Sequence, residues 1–138
     1  MASGIQITDE CLTTFQELKL GRKFKYILFT LSEDLSKVVV EKTSDVSDYD
    51  AFPRDLPKDQ CRWAVYDFDF ERDGSKRNKL CFVSWSPDDA KIKNKMVFAS
   101  SHESLKQMLD GIAFEVQATD PSEISYATVL VKALTSTH

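Results

Sequence analysis

The sequence predicts an α/β domain of the α+β type, with a central five-stranded mixed β-sheet flanked by helices. Three observations carry this reading. Residues 62–70 (RWAVYDFDF) alternate, with Ala64, Tyr66, Phe68 and Phe70 on one side and Trp63, Val65, Asp67 and Asp69 on the other. Asp73-Gly74 marks a turn, and residues 78–85 (NKLCFVSW) return as the partner strand. Helix-like and strand-like stretches follow in the order α-β-β-α-β-β-α-β-α over 138 residues, a length that suits one domain with its own core.

Residues 1–7 read as a short flexible N-terminal arm. Ala2 is small enough for removal of the initiator Met, which would leave Ser3 almost at the terminus. A helix begins at Thr8, with Asp9 and Glu10 at its positive end, Leu12, Phe15 and Leu18 at helical spacing, and Gly21 as its stop. Residues 24–31 (FKYILFTL) form a buried strand, and residues 37–43 (KVVVEKT) a second one after a polar turn. A small helix over residues 47–52 should end at Pro53. Residues 113–118 (AFEVQA) give the fifth strand, and Asp120-Pro121-Ser122-Glu123 starts a last helix carrying Ile124, Tyr126, Val129, Leu130 and Leu134. No repeat or linker divides the chain, so residues 1–138 form a single domain.

Between the hairpin and the fifth strand lie two predicted helices in tandem. The first runs from about Asp88 to Ala99, with two acids at its positive end. Ser100 and Glu103 make an S-x-x-E capping box that starts a new helical turn, and Gly111 ends it. Ile92, Met96 and Ala99 share one side of the first helix, flanked by Lys93 and Lys95, whereas Val97 and Phe98 point elsewhere. The plainer reading puts Met96 in a core stripe and the lysines on a solvated face. The sharper one makes Met96 part of a binding surface. Periodicity favours the first.

A formal charge of −4 argues against a general nucleic-acid binder, although acids crowd residues 45–73 and a basic cluster spans Lys91 to Lys95. Three cysteines (Cys11, Cys61, Cys81) without a CxxC pair suggest buried free thiols and a reducing compartment such as cytosol. No apolar run is long enough to span a membrane, and the N-terminus does not read as a signal peptide.

The chemistry of an enzyme is missing. His102 and His138 are the two histidines, the glycines stand alone, and no metal-binding, phosphate-cradling or nucleophile motif is present, so neither cofactor nor metal is expected. Asp67 and Asp69 are the one pair of carboxylates with a catalytic look, but their alternation with apolar residues fits a polar or partly covered sheet face. A binding module is the better reading.

Several stretches together resemble the actin-depolymerising factor/cofilin family. They are FQELKLGRKFKYILF from Phe15, SDYDAF from Ser47, RWAVYDFDF from Arg62, FVSWSPDDAKIKNKMVFASSHESLKQML from Phe82 and VQATDPSEISY from Val116. W-S-P-D followed by K-x-K-M-V-[FY]-A-S-S is a highly specific signature, and the resemblance covers essentially the whole chain. It implies an ADF-homology domain with a long kinked actin-binding helix. The implied function is binding of actin monomers and filaments, preferring ADP-bound subunits, with severing, depolymerisation and turnover of filaments. The alternative is an ADF-homology module that binds actin with weak or no severing.

By position, the resemblance implies main actin contacts at Lys93, Lys95 and Met96, with the arm residues Ser3, Gly4 and Ile5 beside them, and so supports the sharper reading of Met96. Ser3 matches the regulatory phosphoserine of many members; the alternative is an unmodified terminus. Arg77, Lys79 and Lys132 match the filament-side surface. The chain departs from the pattern there, with a short tip at residues 72–76 and with Val131 and Thr135 where charges are usual. Lys91, Lys93, Lys95 and Lys106 offer a phosphoinositide patch without a pocket, and His102 one turn away could make binding pH-dependent. The family reading further implies a monomer in the cytoplasm at the actin cytoskeleton, with cyclase-associated protein and Aip1-type helpers as further partners.

Overall fold

The computed structural model describes residues 5–21 and 23–136. The elements are β1 (Gln6–Ile7), α1 (Asp9–Gly21), β2 (Tyr26–Leu31), β3 (Lys37–Ser44), α2 (Ala51–Asp55), β4 (Arg62–Arg72), β5 (Ser75–Trp85), α3 (Ile92–Met108), β6 (Phe114–Ala118), a 3-10 turn (Pro121–Ile124) and α4 (Tyr126–Thr135). The sheet has six strands, not five, in the order β1-β3-β2-β4-β5-β6. The added strand is the end of the expected free arm. Gln6 donates to Ser36 O (3.0 Å) and Thr8 to Val38 O (3.2 Å), so β1 lies parallel to β3. Two residues are too few for alternation to announce a strand.

The core lies on both faces of this sheet, which is why residues 26–29 are apolar without a break. The alternation along β4 sorts as expected. Ala64, Tyr66, Phe68 and Phe70 join the core under α2 and α4, while Trp63 and Val65 join the other core with Phe15, Phe82 and Phe98. Asp67 is also buried, at 6% exposure, and accepts a hydrogen bond from Asn78 Nδ2 (2.8 Å). Burial of an aromatic side chain contributes about 1.5–3 kcal/mol, so these rings dominate the stability of both layers.

The β4–β5 hairpin is longer than its apolar pattern suggests. Its ladder continues through Glu71↔Lys76, where opposite charges face each other, to Arg72↔Ser75. Asp73 (φ 53°) and Gly74 (φ 78°) close it in the left-handed conformation that suits a two-residue turn. Pro53 does not stop α2 but sits inside it. A proline in the first helical turn is tolerated because the amide there has no intrahelical acceptor.

The expected tandem helices are one continuous helix of 17 residues. Asp88 and Asp89 stay in the turn before it, closed by Ala90 N–H donating to Pro87 O (3.1 Å). The Ser100–Glu103 capping box does not form. Ser100 and Ser101 instead donate their hydroxyls to Val97 O (3.0 and 2.7 Å), the bonding that tends to bend helices. The reason lies in burial: Ser101 is enclosed between Phe98 and Leu105 on the core side of α3, and the carbonyl one turn back is its available acceptor. Phe98 stacks on Trp63 with ring centroids 4.1 Å apart and planes 18° from parallel.

The C-terminal helix is split where a single one was expected. The Asp120 capping box forms, with Ser122 N–H donating to Asp120 and Glu123 accepting from the Asp120 amide, but it supports only the 3-10 turn. Ser125 then returns to extended backbone and caps α4, accepting from Thr128 N–H (3.3 Å).

Glu115 of β6 ties the second half of α3 to the sheet. It accepts from Lys106 Nζ, and His102 Nε2 lies 3.2 Å from its other oxygen while the imidazole stacks on Phe82. Partial burial opposes the charged form, but the bonds from Lys106 and His102 prevail and hold the carboxyl below the ordinary glutamate range. Such a group contributes stability that is fully present above the unfolded-state pKa and is lost as pH falls through the folded-state value. Glu115→Gln should therefore cost about 1 kcal/mol near neutrality, a gap that narrows below about pH 4. Urea unfolding at several pH values measures it, and an undiminished gap in acid would contradict the tie. Phe98→Ala should cost about 3–5 kcal/mol and alter Trp63 fluorescence. A cost under about 1 kcal/mol would mean that the stack does not dock α3.

Candidate functional site

The outer face of α3 is built by its inner face. Phe98, Ser101 and Leu105 fill the core side, which turns Ile92, Met96 and Ala99 roughly to the opposite side. Ile92 is 76% exposed and Met96 67% exposed, so Met96 belongs to no core stripe. Two large apolar side chains on adjacent helical turns thus stand in solvent. Unpartnered apolar surface rimmed by charge is the usual mark of a protein interface.

Cations surround that stripe at the helix N-terminus. Lys91 is the N-cap residue and makes no side-chain cap bond, and the first turn carries no acid. The positive end of the helix dipole is therefore not offset from within, and lysines add to it. Lys93 is exposed beside Met96. Lys95 is half-buried and donates to Asp88 O (2.8 Å), which folds it back over the entry turn. Lys106 does not join this group. It is bound to Glu115, and 13 residues of helix put it about 20 Å along the axis from Lys93. His102 likewise faces Glu115. Ile5 is half-buried against the core layer that holds Phe98, whereas Ser3 and Gly4 lie outside the described residues.

A second surface joins the far end of the hairpin to α4. Arg77 and Lys132 are exposed. Tyr126, 42% exposed, donates its hydroxyl to Asp69 O (3.4 Å), and together with Leu130, Phe70 and Arg77 it lines a shallow groove between the two elements. Val131 stands out at 60% exposure. Lys79 points inward instead and bonds the end of α4 through Ala133 O (2.9 Å) and Ser136 Oγ (2.6 Å). Partial desolvation, with Arg72 and Arg77 nearby, lowers its pKa below the ordinary lysine value. Neither Tyr126 nor the inward course of Lys79 was legible in the sequence, since both depend on where α4 lands.

The two strand carboxylates form no catalytic pair. Asp67 is bonded by Asn78, and Asp69 is paired with Lys25. Among the described residues no group of three or more His, Cys, Asp or Glu side chains could hold a metal ion. Cys11, Cys61 and Cys81 are buried free thiols, and burial pushes each thiol pKa up. The α3 surface is an exposed helix face and the second is a shallow, open groove, so neither encloses a small substrate.

Comparison with known proteins agrees with this geometry. The profile of the family described as cofilin/tropomyosin-type actin-binding protein matches residues 4–134. Cofilin of Mycosarcoma maydis is 55% identical over 138 residues, covering 99% of each chain. The crystal structure of Streptomyces griseoflavus cofilin superposes with a TM-score of 0.90 at 54% identity, covering 94% of this chain and 97% of that one. Actin depolymerization factor 2 of Plasmodium berghei superposes with a TM-score of 0.85 at 29% identity, covering 97% of both. With a profile match over residues 4–134 and a relative 55% identical over nearly its whole length, the chain belongs to the cofilin/tropomyosin-type actin-binding protein family.

Proposed function

We propose that this actin-binding protein docks on actin through the outer face of α3 and, on filaments, also through the hairpin–α4 surface, and that it promotes severing, depolymerisation and turnover of filaments. The observation that carries the reading is the exposed Ile92–Met96–Ala99 stripe with Lys93 at its edge and an uncompensated helix N-terminus beside it. An apolar helix face of this kind enters an apolar groove, while the cations select a partner with an acidic rim. Filament turnover then follows from differential binding: a ligand shifts a filament only by as much as it prefers one subunit arrangement over another. The preferred arrangement is that of ADP-bound subunits. The nucleotide belongs to actin, so the protein itself needs none.

Three regulatory readings extend this proposal. Phosphorylation of Ser3 would bring nearly two negative charges to the N-terminus and weaken binding to an acidic partner. Lys91, Lys93 and Lys95 offer phosphoinositide headgroups a patch that overlaps the actin surface, with Lys106 as a separate, already paired outlier. Cyclase-associated protein and Aip1-type helpers fit as partners of the turnover cycle, in the cytoplasm at the actin cytoskeleton. Among the described residues, no helix is long and apolar enough to cross a membrane.

Met96→Ala should weaken monomer binding about tenfold, and Lys93→Ala with Lys95→Ala about a hundredfold or less, with folding stability altered by no more than about 1 kcal/mol. Unchanged monomer affinity in the double variant would refute the α3 surface. Ser3→Glu should weaken binding in the same assay, and equal affinity would remove the phosphorylation reading. Imaging of single fluorescent filaments at sub-stoichiometric protein tests the activity itself. Frequent breaks are expected. Coating or end-shortening without breaks would make the chain a non-severing module, the alternative that Val131 on the outer face of α4 favours.

A further inference from the structure

Helix α4 is short, and of its apolar side chains Leu130 and Leu134 are only half-buried against the core. It has ten residues and fully buries only Val129 and Ala133. A free helix of that length is marginal in water, so its ends matter. At its start, Ser125 supplies the cap and Tyr126 bonds the hairpin. At its end, the terminal carbonyls need donors from outside the helix. Thr135 Oγ1 donates to Val131 O (2.9 Å), and Ser136 N–H donates to Lys132 O (3.0 Å). Ala133 O receives Lys79 Nζ (2.9 Å), and the same ammonium reaches Ser136 O (3.2 Å) and Ser136 Oγ (2.6 Å). An ammonium has three hydrogens, and here three acceptors on one helix end face it. The ammonium also lies over the ring of Phe70, with Nζ 5.7 Å from the centroid.

We infer that Lys79 is a positioning residue: it clamps the C-terminal end of α4 to the β4–β5 hairpin and serves filament binding through α4, not by touching actin. The inference rests on the filament-side surface proposed above and changes the part that one residue plays in it. A direct ion pair would require Lys79 to surrender its bonds to α4, leaving Ala133 O without its charged donor at the negative end of the helix. Arg77 and Lys132 are exposed and remain the cations for direct contact. The clamp fixes their spacing, because Arg77 lies on the same strand as Lys79 and Lys132 lies within the clamped turn.

The test compares Lys79→Met, which keeps an unbranched side chain and removes the donor, with Arg77→Ala. Amide hydrogen exchange of the free protein reports the clamp, and filament co-sedimentation over a range of salt concentrations reports the contact. In Lys79→Met, exchange at residues 132–136 should rise about tenfold, the loss expected for a charged hydrogen bond. Filament affinity should fall while its salt dependence stays that of the wild type. Arg77→Ala should flatten the salt dependence and leave exchange in α4 unchanged, as befits a rim charge. Unchanged exchange in Lys79→Met, or a salt dependence flattened as much as in Arg77→Ala, overturns the proposal. A wild-type protein that does not bind filaments overturns the function proposed above; exchange still decides whether Lys79 holds α4.

Discussion

The stack of Phe98 on Trp63 decides what this protein presents to a partner. It joins the long helix to the central strand of the sheet and so sets the rotation of α3 about its own axis. With Phe98, Ser101 and Leu105 turned inward, helical geometry leaves Ile92, Met96 and Ala99 outward. The indole N–H of Trp63 finds no acceptor among the described residues. An unpaired buried donor costs about 1–3 kcal/mol, so the position is held for its ring and not for its polarity. The exposed face and the core face of α3 are therefore one constraint seen from two sides.

The polar groups that look chemically promising are used for structure. Asp67 takes the Asn78 amide, Asp69 takes Lys25, Asp55 takes Tyr26 and Lys42, and Glu115 takes His102 and Lys106. Each bond ties together separate stretches of the fold or the two strands of one hairpin. What is left for function is exposed apolar side chains and exposed cations such as Lys93, Arg77 and Lys132, the composition of an interface whose strength comes from a few central contacts.

The two surfaces differ in how firmly they are built. The α3 face rests on a long helix docked by a ring stack and a carboxylate tie, at opposite stretches of its length. The hairpin–α4 surface rests on a short helix with two fully buried side chains, held at each end by a hydrogen bond to the hairpin. Local stability follows the number of such attachments, so α4 is expected to open before α3.

The sequence by itself determined most of the fold and the family. Alternation along Arg62–Phe70 assigned both core layers, the Asp73-Gly74 pair placed the hairpin turn, and the 86–111 stretch carried both the stripe and the family resemblance. Where it misled, a local signal lost to packing. The serine pair read as a helix start but serves a helix interior, because burial of Ser101 between Phe98 and Leu105 turns its hydroxyl to Val97 O. Pro53 read as a stop but falls in a first turn, and Gln6–Ile7 pair with β3 without any period of their own. Only the tertiary structure decided that Met96 is exposed, that Lys106 stands apart from the other lysines, and that Lys79 points inward. Periodicity assigns residues to faces of an element, but which face meets the core, and which charge finds a partner, depends on elements brought together from far along the chain.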